Sequence, residues 1–482
     1  MNLNSILSYS TKQNPDKKAL IIAKTGESLS YKELCDNIAR YSTFFHKNNI
    51  KAGDRVAIKL KNSFEWIIIF YSLLNIGATP VLIDLHFTIR ELLDCLQKSE
   101  TDIIVVEETD KNLNLDSLNK CKKVFLFSDK EGDKNENIIL LNNNNISQYK
   151  EEIKKYTGYS NIILFSYRGL GYPLVCLFNE KAILKSVLNN IYHTGLNSKM
   201  CTPLFLPSSH IFALTVNFLL PIAVGGTIII MTSNIMPYDI LTNFDKYKIN
   251  FLIAVPTLIK TFLYLASKRK YEFSYLEKGI VGGSTFDKDL FYKWKDLTGS
   301  VLTHGFGLTE TTPVICNRFH DCNPDTIGNR MPNTETKIIK SNGDIAKFNE
   351  EGTLFIKTRA MMECYLNKNE ENKDFLKDGW FDTGDIVYMD EKEYFHFVRR
   401  DKDIGKIGGE TVDLQEVKNI LLSFDGIKEV KISTVPDYLF DAKIVADVVS
   451  EKNITKFDLF DYCKLNLASY KVPKEINVKV IT

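Results

Sequence analysis

Hydrophobic positions in the first third of the chain alternate between a helical and a strand period. Ser30-Tyr-Lys-Glu33 has the form of a capping box, and apolar residues at helical spacing follow it: Leu34, Ile38, Tyr41 and Phe45. The elements predicted after this helix are strand Arg55–Leu60, helix Phe64–Ile76, strand Thr79–Ile83, helix Arg90–Lys98 and strand Asp102–Val106. This alternation predicts parallel sheets that are covered by helices on both faces.

The same pattern resumes after a polar stretch at 130–150, which ends in Asn142–Asn145 and predicts a surface loop. A buried strand is predicted at Asn161–Phe165, and the segment SYRGLGYPL after it is expected to lead into a helix. Further strands are predicted within GGTIIIM, NFLIAVP and KGIVGGS, and strand-rich segments occupy roughly 326–400. We therefore predict an α/β fold with a large N-terminal domain of parallel and mixed sheets flanked by helices, residues 1–401. A small, mobile α+β C-terminal domain follows, residues 402–482.

Composition excludes several classes of protein. The chain has 482 residues, 44% of them hydrophobic and 25% charged, as in an ordinary globular protein, and its net charge of +1 predicts no nucleic-acid or membrane partner. Its nine cysteines form no C-x-x-C pairs, which argues against a disulfide framework and against structural zinc. The longest apolar stretches, Trp66–Ile83 and Phe218–Met231, are interrupted by Gly and Pro, and the N-terminus lacks a signal pattern. We expect a cytoplasmic protein.

The stretch THGFGLTETTP, Thr303 to Pro313, carries residues suited to a nucleotide. Gly305 and Gly307 allow a ligand to approach the backbone closely, and Phe306 between them suits stacking on a base. Thr309 suits donation to a phosphate, and Glu310 suits a magnesium ion, which favours one or two carboxylates plus phosphates. On these residues alone, a glycine-rich turn with a solvated Thr-Glu pair is an equal alternative.

A second stretch, Asp378 to Val417, follows the same logic. The turn Thr383-Gly-Asp385 presents a carboxylate that suits two ribose hydroxyls, and Arg399 and Arg400 suit a phosphate or ribose. The glycines after them, Gly405, Gly408 and Gly409, predict a flexible loop. Without further context, the charged segment would more often be a solvated turn.

Five segments together resemble the motifs of the acyl-adenylate-forming enzymes, which include acyl- and aryl-CoA synthetases, adenylation domains of peptide synthetases, and luciferases. These segments, in register along nearly the whole chain, are FLPSSHIFAL, HGFGLTE, GWFDTGD, RRDKDIGKIGGETVDLQEV and LASYKVP. The resemblance implies an acid–thiol ligase. Such an enzyme activates a carboxylic acid with ATP and Mg²⁺ as an acyl-adenylate, and the thiol of CoA or of a carrier-protein phosphopantetheine then displaces AMP. It also implies that the C-terminal domain rotates between the two steps.

The resemblance further implies roles for individual residues. The nucleotide-binding candidates are Ser166, Arg168, Gly169, Gly171, Gly283, Ser284, Gly305, Phe306, Gly307, Thr309, Asp385 and Arg400. The catalytic candidates are His210, Thr309, Glu310 and Arg400, with Glu310 as the metal ligand. The acyl-pocket candidates are His210, Ile211, Thr257, Gly283 and Val314. Lys402 is the implied hinge, and Gly408 and Gly409 form the implied thiol-side loop.

The phosphate loop of the family, T-S-G-[ST]-T-G-x-P-K-G, is altered in this chain. Ser166, Gly171 and Pro173 are retained, whereas the other positions carry Tyr167, Arg168, Gly169, Leu170 and Leu174. The loss of three hydroxyls and an ammonium predicts that pyrophosphate binding is weaker by several kcal/mol, since each charge-assisted hydrogen bond contributes about 1.5–3 kcal/mol. Arg168 is expected to offset part of this loss, because guanidinium binds phosphate bidentately.

A second departure lies after LASYKVP. Relatives carry a Gly-Lys pair about 15–20 residues later, and the sequence at hand reaches Thr482 without it. Three hypotheses follow: a complete acid–thiol ligase, an enzyme that catalyses only acyl transfer or condensation from a preformed acyl donor, and a non-catalytic nucleotide- or acyl-binding module. The small or apolar pocket candidates favour a neutral aromatic or short-to-medium aliphatic acid.

Overall fold

The computed structural model describes residues 1–128, 137–142, 146–149, 155–231, 236–400, 404–437 and 440–481. The helices in these ranges are α1 Leu3–Gln13, α2 Tyr31–Lys47, α3 Phe64–Asn75, α4 Ile89–Lys98, α5 Glu180–Thr194, α6 Leu220–Val224, α7 Pro237–Lys246, α8 Pro256–Lys268, α9 Lys288–Thr298, α10 Asn369–Phe375, α11 Leu414–Leu422 and α12 Lys456–Asn466. A 3₁₀ turn spans Leu115–Leu118, and a π-helical segment, Ala213–Leu219, leads into α6. No helix in the described ranges is long and apolar enough to cross a membrane.

Within the residues that the structure describes, the strands fall into six sheets. In chain order they are β1 Lys18–Ile22, β2 Ser28–Ser30, β3 Arg55–Lys59, β4 Thr79–Leu82, β5 Ile103–Glu107, β6 Lys123–Phe127, β7 Ile138–Leu141, β8 Asn161–Ser166, β9 Leu174–Asn179, β10 Cys201–Leu204, β11 Thr227–Ile230, β12 Phe251–Ala254, β13 Lys278–Val281, β14 Val301–Leu308, β15 Thr312–Cys316, β16 Asn329–Arg330, β17 Thr334–Ile339, β18 Gly352–Thr358, β19 Cys364–Tyr365, β20 Leu376–Lys377, β21 Trp380–Met389, β22 Phe395–Arg400, β23 Ile404–Ile407, β24 Glu410–Asp413, β25 Ile427–Asp437, β26 Asp441–Ser450 and β27 Glu475–Val480.

The largest sheet has the strand order β19-β9-β8-β4-β3-β5-β6-β7. Its strands from β8 to β7 pair in parallel, as the β/α alternation predicts, and β9 and β19 add an antiparallel edge. Helices α2 and α3 begin at side-chain caps, Ser30 with a full capping box and Ser63 on the amide of Trp66. Both helices bury aromatic side chains in the core beside this sheet, among them Phe45, Trp66 and Phe70.

Three further sheets complete the large domain. Two begin as parallel sheets, in the orders β10-β11-β1-β2 and β12-β13-β14-β15-β16, and each ends in antiparallel pairing. The third is antiparallel, in the order β17-β18-β21-β20 with β22 beside β21. The C-terminal part has its own core, around Val417, Leu421 and Leu459, under the sheet β25-β26-β27 and beside the hairpin β23-β24.

Most of the elements predicted at the N-terminus lie within one or two residues of their observed bounds, and the strand-rich region 326–400 is also observed. Four expectations were wrong. The predicted turn Thr383-Gly-Asp385 lies within β21, and Gly405 of the predicted flexible loop lies within β23. The segment SYRGLGYPL leads into the antiparallel strand β9 and not into a helix, because Leu174 continues a buried apolar run that pairs with β8. The predicted loop at 130–150 contains β7. Lys402 and Asn143–Asn145 lie outside the described residues, so the predicted hinge and domain boundary stay predictions.

Candidate active site

A cavity separates the large domain from the hairpin β23-β24 of the C-terminal part. One wall is the glycine-rich stretch 305–310, and a second is the loop and π-helix from Leu206 to Val216. The opposite wall is formed by Lys406, Gly409, Glu410 and Thr411 of the hairpin, together with Tyr470. The cavity thus brings together segments that lie far apart in the sequence. Several of these segments carry the family motifs.

The glycine-rich stretch follows β14 to its end and turns back into β15. A register shift between Phe306 and Gly307 marks a bulge in this pair. A Cβ atom on Gly307 would come 2.4 Å from the carbonyl oxygen of Thr312, so the backbone packing of the bulge requires glycine. The bulge leaves Gly305, Phe306, Gly307 and Thr309 on the cavity wall.

Glu310, the predicted metal ligand, is buried at the end of this stretch, with 1% of its surface exposed. Its Oε1 accepts hydrogen bonds from the hydroxyls of Ser166, at 2.6 Å, and Tyr365, at 2.7 Å. Glu310 and Ser166 both line the cavity. The structure therefore joins the retained serine of the phosphate loop to the predicted magnesium ligand.

Asp385 and Arg400, both predicted to contact the nucleotide, form a bidentate ion pair with each other. Arg400 Nε donates to Asp385 Oδ1 at 2.5 Å, and its terminal nitrogen donates to Oδ2 at 2.8 Å. Asp385 is fully buried, whereas Arg400 reaches the cavity. The pairing follows from β21 and β22, which place the two residues directly opposite each other.

Arg168 lines the cavity, but its guanidinium is directed into the large domain. Its terminal nitrogen donates to the carbonyls of Asp382 and Thr383, at 3.1 and 2.9 Å. The guanidinium carbon also lies 4.9 and 5.2 Å from the ring centres of Phe375 and Phe381. In this arrangement Arg168 anchors the loop to β21, and its terminal nitrogen is already engaged by backbone carbonyls.

His210 lies between two carboxylates from different parts of the chain. Its Nε2 is 3.4 Å from Asp84 Oδ2 and 3.5 Å from Glu410 Oε2. Burial by itself would lower the pKa of His210, but Glu410 and Asp84 raise it to about 9. Asp84 is also contacted by His86 Nδ1, at 2.9 Å, and by the Tyr470 hydroxyl, at 3.1 Å. The imidazolium therefore links the large domain to the hairpin.

Lys406 extends from the hairpin toward the same cavity. Its ammonium donates to the Thr411 hydroxyl at 2.6 Å. Burial, aided by the charge of Arg400, lowers the pKa of Lys406 to about 8. Lys406 is therefore still mostly protonated at neutral pH but loses its proton more readily than an ordinary lysine.

The part of the cavity beyond His210 is largely apolar. Its lining includes Phe212, Val216, Val255, Ile280 and Met331. Of the predicted acyl-pocket residues, His210, Ile211 and Gly283 line the cavity. Thr257 and Val314 are buried in α8 and β15, outside the cavity lining.

Five other predicted residues also lie away from the cavity lining, and one of them is Asp385, which is fully buried in its ion pair with Arg400. Ser284 donates to Asp441 Oδ2 at 2.9 Å, and the amide of Gly408 donates to the carbonyl of Phe440. Gly169 and Gly171 belong to the part of the loop that faces the C-terminal domain. Gly409, in contrast, lines the cavity as predicted for the thiol-side loop.

The residues present fit an adenylate and a magnesium ion. The bare backbone at Gly282–Gly283 and Gly305–Gly307 leaves room for a flat base beside Phe306. The Glu310 carboxylate and the Ser166 hydroxyl supply oxygen ligands of the kind magnesium prefers. The leaving pyrophosphate does not fit this arrangement, because the Gly171 amide already donates to Asp413 Oδ2, at 2.9 Å, and Arg168 is directed inward.

Sequence reasoning missed several residues that the structure brings to the site: Asp84, Lys406, Glu410, Asp413 and Lys471. Asp84 lies outside the motif segments, whereas Glu410 lies within RRDKDIGKIGGETVDLQEV without having been assigned a role, and both act through contact with His210. Lys471 lies within LASYKVP, so the motif marked its segment without indicating its partners.

The sequence profile of the AMP-binding enzyme family matches residues 7–160 and 171–366. The chain belongs to the AMP-binding enzyme family. The interruption of the match, 161–170, falls on β8 and the first half of the altered loop. Among curated members, the chain is 28% identical to the long-chain-fatty-acid–CoA ligase of Haemophilus influenzae, over 97% of this chain and 89% of that protein.

Solved structures of the family share the fold. The o-succinylbenzoate CoA synthetase of Bacillus subtilis, as a double mutant bound to a CoA-containing product analogue, matches with a TM-score of 0.86 at 20% identity. The same enzyme in complex with its acyl-adenylate intermediate matches with a TM-score of 0.73. Both comparisons cover 98% of this chain and 94% of the other. The solved structures confirm the predicted fold class, and the family match and the curated relatives confirm the predicted family and an enzyme of the AMP-forming ligase class.

Proposed function

We propose that this enzyme activates a carboxylic acid with ATP as an acyl-adenylate and transfers the acyl group to a thiol. The observation that carries the proposal is the single cavity in which the adenylate-binding stretch 305–310 faces the hairpin β23-β24 across His210. An acyl-adenylate bound there has its phosphate end beside Thr309 and Glu310 and its acyl end beside the apolar wall. A thiol must then enter from the side of the hairpin.

In the adenylation step, residues of the large domain hold the substrates. Phe306 flanks the adenine, Asp385 accepts from the ribose hydroxyls and Thr309 donates to the α-phosphate. Glu310 would hold the magnesium ion, which would supply positive charge to stabilise the leaving pyrophosphate. Because Arg400 pairs with Asp385 here, ribose binding requires this ion pair to open or to share the carboxylate.

In the transfer step, the C-terminal domain covers the side of the cavity from which the thiol enters. We propose domains 1–401 and 402–482, rotating at Lys402, with Gly408 and Gly409 beside the incoming thiol. In this structure the C-terminal domain is docked against the large domain through the hairpin β23-β24. The chain matches the CoA-analogue complex with a higher TM-score than the acyl-adenylate complex, which supports this docked arrangement as the one for the transfer step. His210 then lies where the acyl and thiol channels meet.

The substrates are proposed from the lining of the cavity. The apolar wall suits a neutral acid with an aromatic or aliphatic body, and the fatty-acid ligase relative supports an aliphatic one. The thiol is that of CoA, as in the names of the relatives, with the phosphopantetheine of a carrier protein as the alternative. We propose the cytoplasm as the compartment, since ATP and CoA are available there.

A second candidate function is acyl transfer from a preformed acyl-adenylate. It is favoured by the altered loop, whose Gly171 amide and Arg168 guanidinium are engaged by protein groups. Such an enzyme would retain the transfer step and lack adenylation.

The experiment that separates these functions is pyrophosphate–ATP exchange, run with a panel of aromatic and aliphatic acids. Exchange that depends on one acid supports the complete ligase and identifies the acid. The parallel assay supplies synthetic acyl-adenylate and CoA and measures acyl-CoA. Acyl-CoA without exchange supports the transferase, and the absence of both products contradicts the proposed function.

A further inference from the structure

The altered loop, Ser166 to Leu174, is in contact with the C-terminal domain at two places. At the first, the carboxylate of Asp413 accepts from the amide of Gly171 at 2.9 Å. The same carboxylate caps α11 by accepting from the amides of Gln415 and Glu416, at 2.9 and 3.2 Å. Asp413 is completely buried. A single carboxylate thus joins the loop to the first turn of a helix in the other domain.

The packing around this bond is close. Gly171 has a φ of +82°, and a Cβ atom there would come 2.6 Å from Nδ2 of Asn419 and 3.2 Å from Cγ of Gln415. Both of these residues belong to α11. The positive φ favours glycine at this position, and any side chain here would also have to displace the side chain of Asn419.

At the second place, a tyrosine that replaces a small residue of the family loop contacts a buried lysine. The Tyr167 hydroxyl accepts from the ammonium of Lys471 at 2.9 Å, and the ammonium lies 4.1 Å from the centre of the tyrosine ring. Lys471 also donates to Glu91 and Glu416, at 2.7 and 2.9 Å. A buried lysine with two carboxylates and a hydroxyl is fully satisfied, and this site exists only when the two domains are in contact.

The remaining substitutions in the loop agree with this role. Leu174, at the position of the family lysine, is fully buried in β9, and Leu170 packs against the core of the large domain. Arg168 anchors the loop to β21. The residues that replace phosphate ligands thus contact the protein itself.

We propose that the altered loop has become a docking site for the C-terminal domain, in which the carboxylate of Asp413 occupies amides that a polyphosphate anion would need. A pyrophosphate anion and the docked domain then compete for one loop. The inference rests on the proposed function for the identity of the anion, because pyrophosphate is the leaving group of adenylate formation. Pyrophosphate that remains in the loop delays docking, and docking in turn expels it.

The test is direct binding of inorganic pyrophosphate, measured by calorimetry without turnover. Asp413→Asn removes the charge and retains the helix cap, since Asn and Asp are equivalent caps. We expect this variant to bind pyrophosphate about ten-fold more tightly than the unaltered chain, equivalent to about 1.4 kcal/mol. Asp287→Asn is the matched control, because Asp287 caps α9 away from the loop. The affinity of this variant for pyrophosphate is expected to equal that of the unaltered chain.

Hydrogen exchange supplies the second readout. Saturating pyrophosphate is expected to raise amide exchange in α11 and in residues 466–472 of the unaltered chain. Tyr167→Phe, which keeps the aromatic ring and removes only the hydroxyl that accepts from Lys471, is also expected to tighten pyrophosphate binding. This variant answers the question even where Asp413→Asn fails to fold.

Three results would overturn the inference: equal affinity in Asp413→Asn and the unaltered chain, no pyrophosphate binding by any variant at millimolar concentration, and binding that leaves the exchange of α11 unchanged. The failure of the proposed function has a different signature. It appears in the assays of ATP exchange and acyl-CoA formation, which do not enter these binding measurements.

Discussion

The ammonium of Lys471 and the hydroxyl of Tyr167 lie 2.9 Å apart, although 304 positions separate them in the sequence. Both groups are buried, and the carboxylates of Glu91 and Glu416 complete the cluster. One member of this cluster lies in the altered phosphate loop, and two lie in the C-terminal domain. The loop on which the sequence departs most from its family is therefore part of the contact between the domains.

Replacing Lys471 by methionine should destabilise the chain strongly. The substitution leaves Glu91 and Glu416 buried without their cation, a change that costs about 3–5 kcal/mol. The measurement is urea denaturation followed by circular dichroism. The matched control is Lys464→Met, whose pair with Asp461 is exposed and contributes less than about 1 kcal/mol. Equal losses in the two variants would contradict the importance of the buried cluster.

Replacing Glu310 by glutamine should impair adenylation at least about ten-fold, because a neutral amide is a poor ligand for magnesium. The amide oxygen still accepts from Ser166 or Tyr365, so we expect the fold to be retained. The measurement is pyrophosphate–ATP exchange as a function of magnesium concentration. The exposed Glu391→Gln variant serves as the control, and its magnesium dependence should not change. An unaltered dependence in Glu310→Gln would rule out Glu310 as the metal ligand.

The ion pairs of His210 predict a dependence of stability on pH. Because the folded pKa is raised to about 9, above the usual value of 6.5, the stabilisation from His210 is complete below about pH 6.5. It declines as the pH rises and is lost above about pH 9. Asp84 and Glu410 favour the charged ring, and Lys406 opposes it.

The measurement is the free energy of unfolding of the unaltered chain and of His210→Gln, from pH 6 to pH 10. Contributions that both chains share cancel in the difference, which should shrink as the pH rises through this window. A difference that is constant with pH would show that folding does not raise the pKa of His210.

Filling the apolar end of the cavity should shorten the acids that the enzyme accepts. Val216 is fully buried and lines the cavity, so Val216→Phe reduces the space beyond His210. We expect kcat/KM to fall about ten-fold or more for the longer or bulkier acids and to change little for the short ones. The assay is acyl-CoA formation across a chain-length series. The control is Val480→Phe at an exposed position of β27, and a uniform loss over all acids would argue against Val216 as a determinant of chain length.

The sequence alone determined the features that depend on short segments. Hydrophobic periodicity located α2, α3 and β3 to within one or two residues, since capping boxes and turns act locally. The five motif segments identified the family, and the structure brings residues of four of them, FLPSSHIFAL, HGFGLTE, RRDKDIGKIGGETVDLQEV and LASYKVP, to a single cavity. The substitutions in the phosphate loop could also be recognised from the sequence, because the family pattern defines which residues that loop normally contains.

Only the tertiary structure decided how the altered loop is used. Its chemistry alone suggested that Arg168 binds phosphate, but the guanidinium finds the carbonyls of Asp382 and Thr383, more than 200 positions away. Likewise Asp385 pairs with Arg400, and Asp413 accepts from Gly171. A side chain takes the partner that folding brings within hydrogen-bond distance, and that distance depends on how whole sheets and domains pack. A sequence specifies which groups are available to bind, whereas packing selects which of them meet.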